Sequence, residues 1–198
     1  MASLALGVAF VLWALWSVAA TGFVRIPVFS ALAFRQPAPT RIVESGNINL
    51  NRWIEAFGGG ISSRVSLTVP EEVLTALLRS ADSSDGLGDV IDFSKSQIAV
   101  EDGALEIFLP FKDAPTAITA LLVPSADENG LHISAMEFRI GSRRIPKFLL
   151  RNLVDRVLRL VIDRVEDEFG SMATIERIAA TADGLVIEGV IADGALSL

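Results

Sequence analysis

The chain of 198 residues is acidic and apolar, with a formal net charge of −7, 51% hydrophobic residues, no cysteine and one histidine. The negative charge argues against nucleic-acid binding through phosphate contacts, and the lack of cysteine excludes disulfides and thiolate chemistry. The single histidine, His132, excludes most zinc sites and any mechanism that needs two histidines. We therefore predict a protein that is not an enzyme, with no catalytic residues, no metal site, no cofactor and no nucleic-acid partner.

The first 24 residues contain no charged side chain, and Leu4–Val24 is almost wholly apolar. A helix of that length extends about 30 Å, which matches the hydrocarbon core of a bilayer. The sequence therefore predicts a single transmembrane anchor over residues 1–24. A cleaved signal peptide is the alternative, because the small residues at Ser17–Ala20 fit a cleavage site, although no basic residue precedes the apolar run.

Basic residues near the anchor bear on its orientation. Arg25, Arg35 and Arg41 follow the apolar run, and only the α-amino group precedes it. The positive-inside rule, taken alone, places the following domain in the cytoplasm.

Residues 25–60 have the composition of a tether. Pro37 and Pro39 favour an extended chain, and with the earlier Pro27 they prevent a continuous helix. Apolar residues between 47 and 57 fall near helical spacing and favour a short helix there. The run Gly58–Gly60 then interrupts any regular structure.

Residues 61–198 are predicted to form one α+β domain. Alternating apolar residues predict strands, and Asp-Gly or Asn-Gly pairs predict the turns between them. In chain order we expect a strand around Val65 and Leu67, a helix from Pro70 to Leu78, a polar loop over 80–92, a hairpin turning at Asp102-Gly103, a strand over 117–123, a turn over 127–130, a strand over 131–140, a helix over 146–169, and a final hairpin turning at Asp183-Gly184.

One strand changes the parity of its apolar residues. Leu131, Ile133 and Ala135 are odd, whereas Phe138 and Ile140 are even. Because a slip of one residue turns every side chain to the other face, this pattern predicts a β-bulge near Ala135-Met136. A long amphipathic helix beside such a sheet predicts a curved antiparallel meander wrapped around the helix.

Two segments carry a family resemblance, Ser66–Leu78 and Phe138–Pro146. The first resembles the early strand and helix of YpmS-like bacterial proteins, and the second resembles the junction that precedes their long helix. These proteins are in turn similar to the tubular lipid-binding (TULIP-like) superfamily. The resemblance implies a membrane-anchored, single-pass protein of the cell envelope, with an extracytoplasmic domain that holds a membrane lipid between a curved sheet and a long helix.

The resemblance also implies which residues form the lipid site. The apolar groove is expected to be lined by Ile107, Leu109, Ile133, Phe138, Leu150, Val154, Val157, Val161 and Val165. A basic cluster, expected to meet lipid headgroups, consists of Arg143, Arg144, Lys147 and Arg151. An apolar helix opposite apolar strands is also the ordinary pattern of a packed core, and a charged helix face is ordinarily solvated.

Two functions therefore stay open. The first is a membrane-anchored protein that binds or handles a lipid or another amphiphile in an apolar groove. The second is a non-enzymatic structural or adaptor protein that docks another envelope protein through its sheet edge or its basic cluster.

Overall fold

The computed structural model describes residues 2–44, 64–80, 86–101, 103–127, 130–146 and 173–191. Its helices are α1 (Ala2–Thr21), α2 (Phe29–Ala33), α3 (Glu71–Ser80) and α4 (Leu87–Val90), with a 3-10 turn at Phe93–Lys95. Its strands are β1 (Arg64–Val69), β2 (Gln97–Glu101), β3 (Ala104–Pro110), β4 (Ala117–Asp127), β5 (Gly130–Ile140), β6 (Arg143–Arg144), β7 (Ala173–Thr181) and β8 (Gly184–Ile191). The predicted α+β class is confirmed, and α1 is long and apolar enough to cross a membrane.

The described strands form two antiparallel sheets. Strands β2 to β6 follow one another in a five-stranded meander, whereas β1, β8 and β7 form a separate three-stranded sheet. In the smaller sheet β1 pairs along its whole length with β8, from Arg64 opposite Val190 to Val69 opposite Leu185. This division differs from the single meander expected from the sequence, because alternation identifies a strand but not its partner. The helix predicted over 146–169 lies outside the described residues beyond Pro146.

The β-bulge predicted from the parity change is present. Leu121 of β4 lies opposite Glu137 of β5, and the next residue, Leu122, lies opposite Ala135. Met136 is therefore the extra residue, and its side chain is exposed. The bulge keeps Ala135 and Phe138 on the same inner side of the sheet, as their hydrophobicity requires.

Helix α3 is amphipathic and packs along β2, the edge strand of the meander. Pro70 precedes its first turn, and the Pro70 carbonyl accepts the N–H groups of Val73 and Leu74. Leu74 and Leu78 are fully buried, and each contributes about 2–3 kcal/mol of apolar burial. Thr75 joins the helix to β2, because its hydroxyl donates to the Ile98 carbonyl and accepts the Ile98 N–H, both at 3.0 Å.

Part of the segment predicted as a polar loop is ordered. Ile91 forms a bridge with Phe111, and both Ile91 and Phe93 are buried in the core. Between them Asp92 accepts hydrogen bonds from Lys95 and Ser94, which hold the pKa of its carboxyl below the usual value of 3.8. Two apolar anchors therefore order a stretch that its polar composition alone assigns to a loop.

Candidate functional site

The strand residues predicted to line the groove lie together on the inner side of the meander. Ile107, Leu109 and Phe138 are buried, and Ile133 is half-buried against the same hydrophobic cluster. The predicted helix positions Leu150, Val154, Val157, Val161 and Val165 lie outside the described residues. The described half of the predicted site is thus continuous with the core of the domain.

Burial of the inner side decreases across the meander. The inward residues of β3, and those of β4 as far as Pro124, are buried, whereas Ile133, Ala135 and Ile140 of β5 are half-buried and only Phe138 of its described inward side chains is buried. The half-buried residues, which we call the β5 rim, are Ile133, Ala135, Ile140 and, just after β6, Ile145. The rim is the part of the inner face at which a hydrocarbon chain could contact the sheet.

The end of α1 is fixed to the domain by hydrogen bonds. The Ser142 N–H donates to the Ala20 carbonyl at 3.0 Å, and the Thr116 hydroxyl donates to the Thr21 carbonyl at 2.6 Å. Because the last carbonyls of a helix lack intrahelical donors, these two groups cap α1. Gly141 has φ 57°, and a Cβ at this position would lie 2.6 Å from the Thr21 carbonyl oxygen. This junction places the ends of β5 and α1 against each other.

The predicted basic cluster is divided between two different contacts. The Arg143 guanidinium lies over the Trp13 ring of α1, 5.6 Å from its centroid, in a cation–π arrangement. Arg144 instead pairs with Glu137 at 2.7 Å. Lys147 and Arg151 lie outside the described residues.

Glu137 is held ionised by two arginines. Its carboxylate accepts a hydrogen bond from Arg139 and also pairs with Arg144. The hydrogen bond from Arg139, with the nearby charges of both arginines, lowers the pKa of Glu137 below its usual value of 4.5. This part of the cluster therefore forms a local ion-pair network on the outer side of the sheet.

Of the segment predicted as a tether, residues 35–43 contain neither helix nor strand and are attached to the outer face of the meander, whereas the short helix predicted between 47 and 57 lies outside the described residues. We call residues 35–43 the strap. Its hydrogen bonds join Arg35 to Ser142, Thr40 to Glu106, Val43 and Arg41 to Gln97, and Arg41 to Glu71 and Val100. These contacts were not evident in the sequence, because partners as distant as Arg35 and Ser142 leave no periodic pattern.

A polar cleft of about 440 Å³ lies between the strap and the sheet. Glu106 lines the cleft and is 7% exposed, and one of its carboxylate oxygens accepts the Thr40 N–H at 3.0 Å. Arg35, Glu137 and Arg139 also line it. Among the described residues, no group of three or more His, Cys, Asp or Glu side chains could hold a metal ion.

His132 is exposed on β5, on the side of the strand opposite to Ile133. Comparisons with protein-family models, with curated proteins and with solved structures found no match. The resemblance to YpmS-like and TULIP-like proteins therefore stays a prediction.

Proposed function

We propose that the chain is a membrane-anchored protein that binds a lipid or another amphiphile along the β5 rim. One observation carries the proposal: the rim runs from Ile133 to Ile140 and ends beside the junction with α1, where Ser142 caps Ala20. An acyl chain leaving the bilayer next to α1 would meet apolar side chains at once.

The length of the rim supports this occupant. From Ile133 to Ile140 the strand rises about 23 Å at roughly 3.3 Å per residue. One leaflet of a bilayer contributes about 15 Å of hydrocarbon. The rim is therefore long enough for one acyl chain.

Charge at the end of the rim fits a phospholipid headgroup. Arg143 pairs with Ile140 between β6 and β5, so that a cation lies at the end of the rim nearest to α1. A phosphate held there would allow its acyl chain to extend toward Ile133.

The proposal is tested on the full chain in vesicles that contain a phospholipid with a photoreactive acyl chain. After irradiation, mass spectrometry should find lipid adducts on β5 as well as on α1. Ala135→Phe should reduce the β5 adducts because it fills the rim, and Ser134→Phe should leave them unchanged because Ser134 is exposed on the opposite side. Adducts on α1 serve as the internal reference for both variants.

Adducts confined to α1 and the residues that follow it would overturn lipid binding by the domain. An equal loss of β5 adducts in both variants would also contradict the proposal, because it would show that the rim is not the binding surface. In either case, an adaptor that docks another envelope protein becomes the better explanation.

We further propose that the domain lies on the extracytoplasmic side, as the family resemblance implies. The cysteine-free chain makes the test direct. In intact bacterial cells, a membrane-impermeant maleimide should label Ile42→Cys in the exposed part of the strap, and should label Ser3→Cys only after permeabilisation. The reverse pattern would place the domain in the cytoplasm, as Arg25 and Arg35 favour under the positive-inside rule.

A further inference from the structure

We propose that residues 22–34, which we call the return segment, lie in the interfacial layer of the bilayer that α1 crosses. The return segment would then attach the protein to the membrane surface at a second point. This inference rests on the proposed membrane anchoring but is independent of lipid binding at the β5 rim.

The geometry of α1 sets the level of the return segment. The 20 residues of α1 extend about 30 Å, so that crossing a hydrocarbon core of about 30 Å requires the whole helix. Thr21 then lies at the boundary of the hydrocarbon. Helix α2 packs against α1, and the Phe34 ring lies where a Cβ on Gly22 would be. The chain thus returns to α1 immediately after leaving it.

The return segment presents apolar side chains outward. Val24, Val28 and Leu32 are exposed, the last two at 70% each. Val28 has φ 71°, which is a rare conformation for a β-branched residue. Three exposed aliphatic side chains beside an apolar helix indicate a surface that faces lipid.

Three polar groups of the return segment hydrogen bond to one another. The Ile26 N–H donates to the Ser30 hydroxyl at 2.8 Å, and that hydroxyl donates to the Val24 carbonyl at 3.3 Å. The turn can therefore enter a layer of low polarity at a reduced cost of desolvation.

Charge at the same level indicates headgroups, not the interior of the hydrocarbon. Arg25 is exposed within the return segment, four residues after the end of α1. No Asp or Glu occurs before Glu44, although the chain as a whole carries a net charge of −7. An exposed arginine beside exposed aliphatic side chains, in a stretch without acidic residues, fits the membrane–water interface.

The experiment uses the full chain with single cysteines at Phe10, Leu32 or Ile42, each labelled with an environment-sensitive fluorophore. All three side chains are exposed, so the substitutions leave the core unchanged. The labelled proteins are reconstituted in phosphatidylcholine and phosphatidylglycerol vesicles that carry a nitroxide either near the headgroup or deep in the acyl chain. Ile42 is the matched control, since it is also a strongly exposed aliphatic residue but lies on the strap.

The label at Leu32 should be quenched by the shallow nitroxide and should emit at shorter wavelength than the label at Ile42. The label at Phe10 should be quenched by the deep nitroxide, and the label at Ile42 by neither. If Phe10 is quenched while Leu32 behaves as Ile42 does, the return segment lies in water and the inference is overturned. If Phe10 itself escapes quenching, the membrane anchoring on which the inference rests is wrong.

Discussion

The junction between α1 and the domain can be tested by adding a single methyl group at Gly141. A Cβ there would lie 2.6 Å from the Thr21 carbonyl oxygen and 2.8 Å from that of Ala20. Both neighbours are backbone atoms, so they cannot move away as a flexible side chain would. Gly141→Ala should therefore separate the domain from the end of α1.

The expected cost has two parts. A non-glycine residue in the left-handed region costs about 1–2 kcal/mol. Displacing the chain also weakens the hydrogen bonds from Ser142 and Thr116 to α1, at about 1 kcal/mol each. The free energy of unfolding should fall by about 3–4 kcal/mol in total.

Gly103→Ala is the matched control. Gly103 also has a positive φ, 80°, but no atom lies within 4 Å of its added Cβ. Only the conformational cost applies there, so the two variants should differ by about 2 kcal/mol. For a chain of this size that difference corresponds to about 4–8 °C in Tm.

The assay is thermal unfolding of the full chain in detergent micelles, followed by circular dichroism. Equal decreases in Tm for the two variants would refute the tight contact between Gly141 and α1. A larger decrease for Gly141→Ala, with secondary structure unchanged at low temperature, would support it.

Three further predictions concern the domain itself. Thr75→Val should lower Tm by about 4–8 °C, because the buried Ile98 N–H loses its hydroxyl partner at a cost of about 2 kcal/mol; Thr75→Ser should restore it. Glu137→Gln should reduce the decrease in Tm below pH 4.5. Arginine pairing lowers the pKa of Glu137 below its ordinary value of 4.5. The stability that the ionised carboxylate contributes is therefore complete above pH 4.5 and is lost as the pH decreases further. Glu106→Ala should speed tryptic cleavage after Arg41, because the strap loses a hydrogen bond to the sheet.

Each of these three predictions would be contradicted by a specific result. An unchanged Tm in Thr75→Val would mean that Ile98 finds another acceptor. An acid unfolding profile that is the same with Glu137→Gln would mean that its arginine pairing contributes nothing to stability. Thr119→Val on the neighbouring strand is the control and should be cleaved at the wild-type rate. If Glu106→Ala is also cleaved at that rate, the strap does not depend on Glu106.

Local patterns in the sequence were sufficient for most strands and for the bulge. The change from odd to even apolar positions between Ala135 and Phe138 required an extra residue, and Met136 supplies it. Helix α3 could be predicted because its apolar residues repeat at helical spacing. In each case one face of an element must be buried, and that requirement is visible within a few residues.

Long-range pairings could not be predicted in the same way. The partnership of β1 with β8, and the hydrogen bonds from Arg35 to Ser142, join parts of the chain that are more than 100 residues apart. Periodicity says nothing about such partners. Nor can alternation distinguish a packed core from a lipid groove, because Ile107 and Phe138 face inward in both.

The strap also determines how lipid binding must be tested. Gln97 and Glu106 are buried polar residues on the outer face, and both hydrogen bond to the strap. Phe108 lies on the same face of β3 as Glu106, since side chains alternate along a strand. A fragment beginning after the strap would lose these hydrogen bonds and uncover apolar surface, which could bind lipid without any role of the β5 rim. Binding by the full chain that is lost in Ala135→Phe therefore carries more weight than binding by a shortened domain.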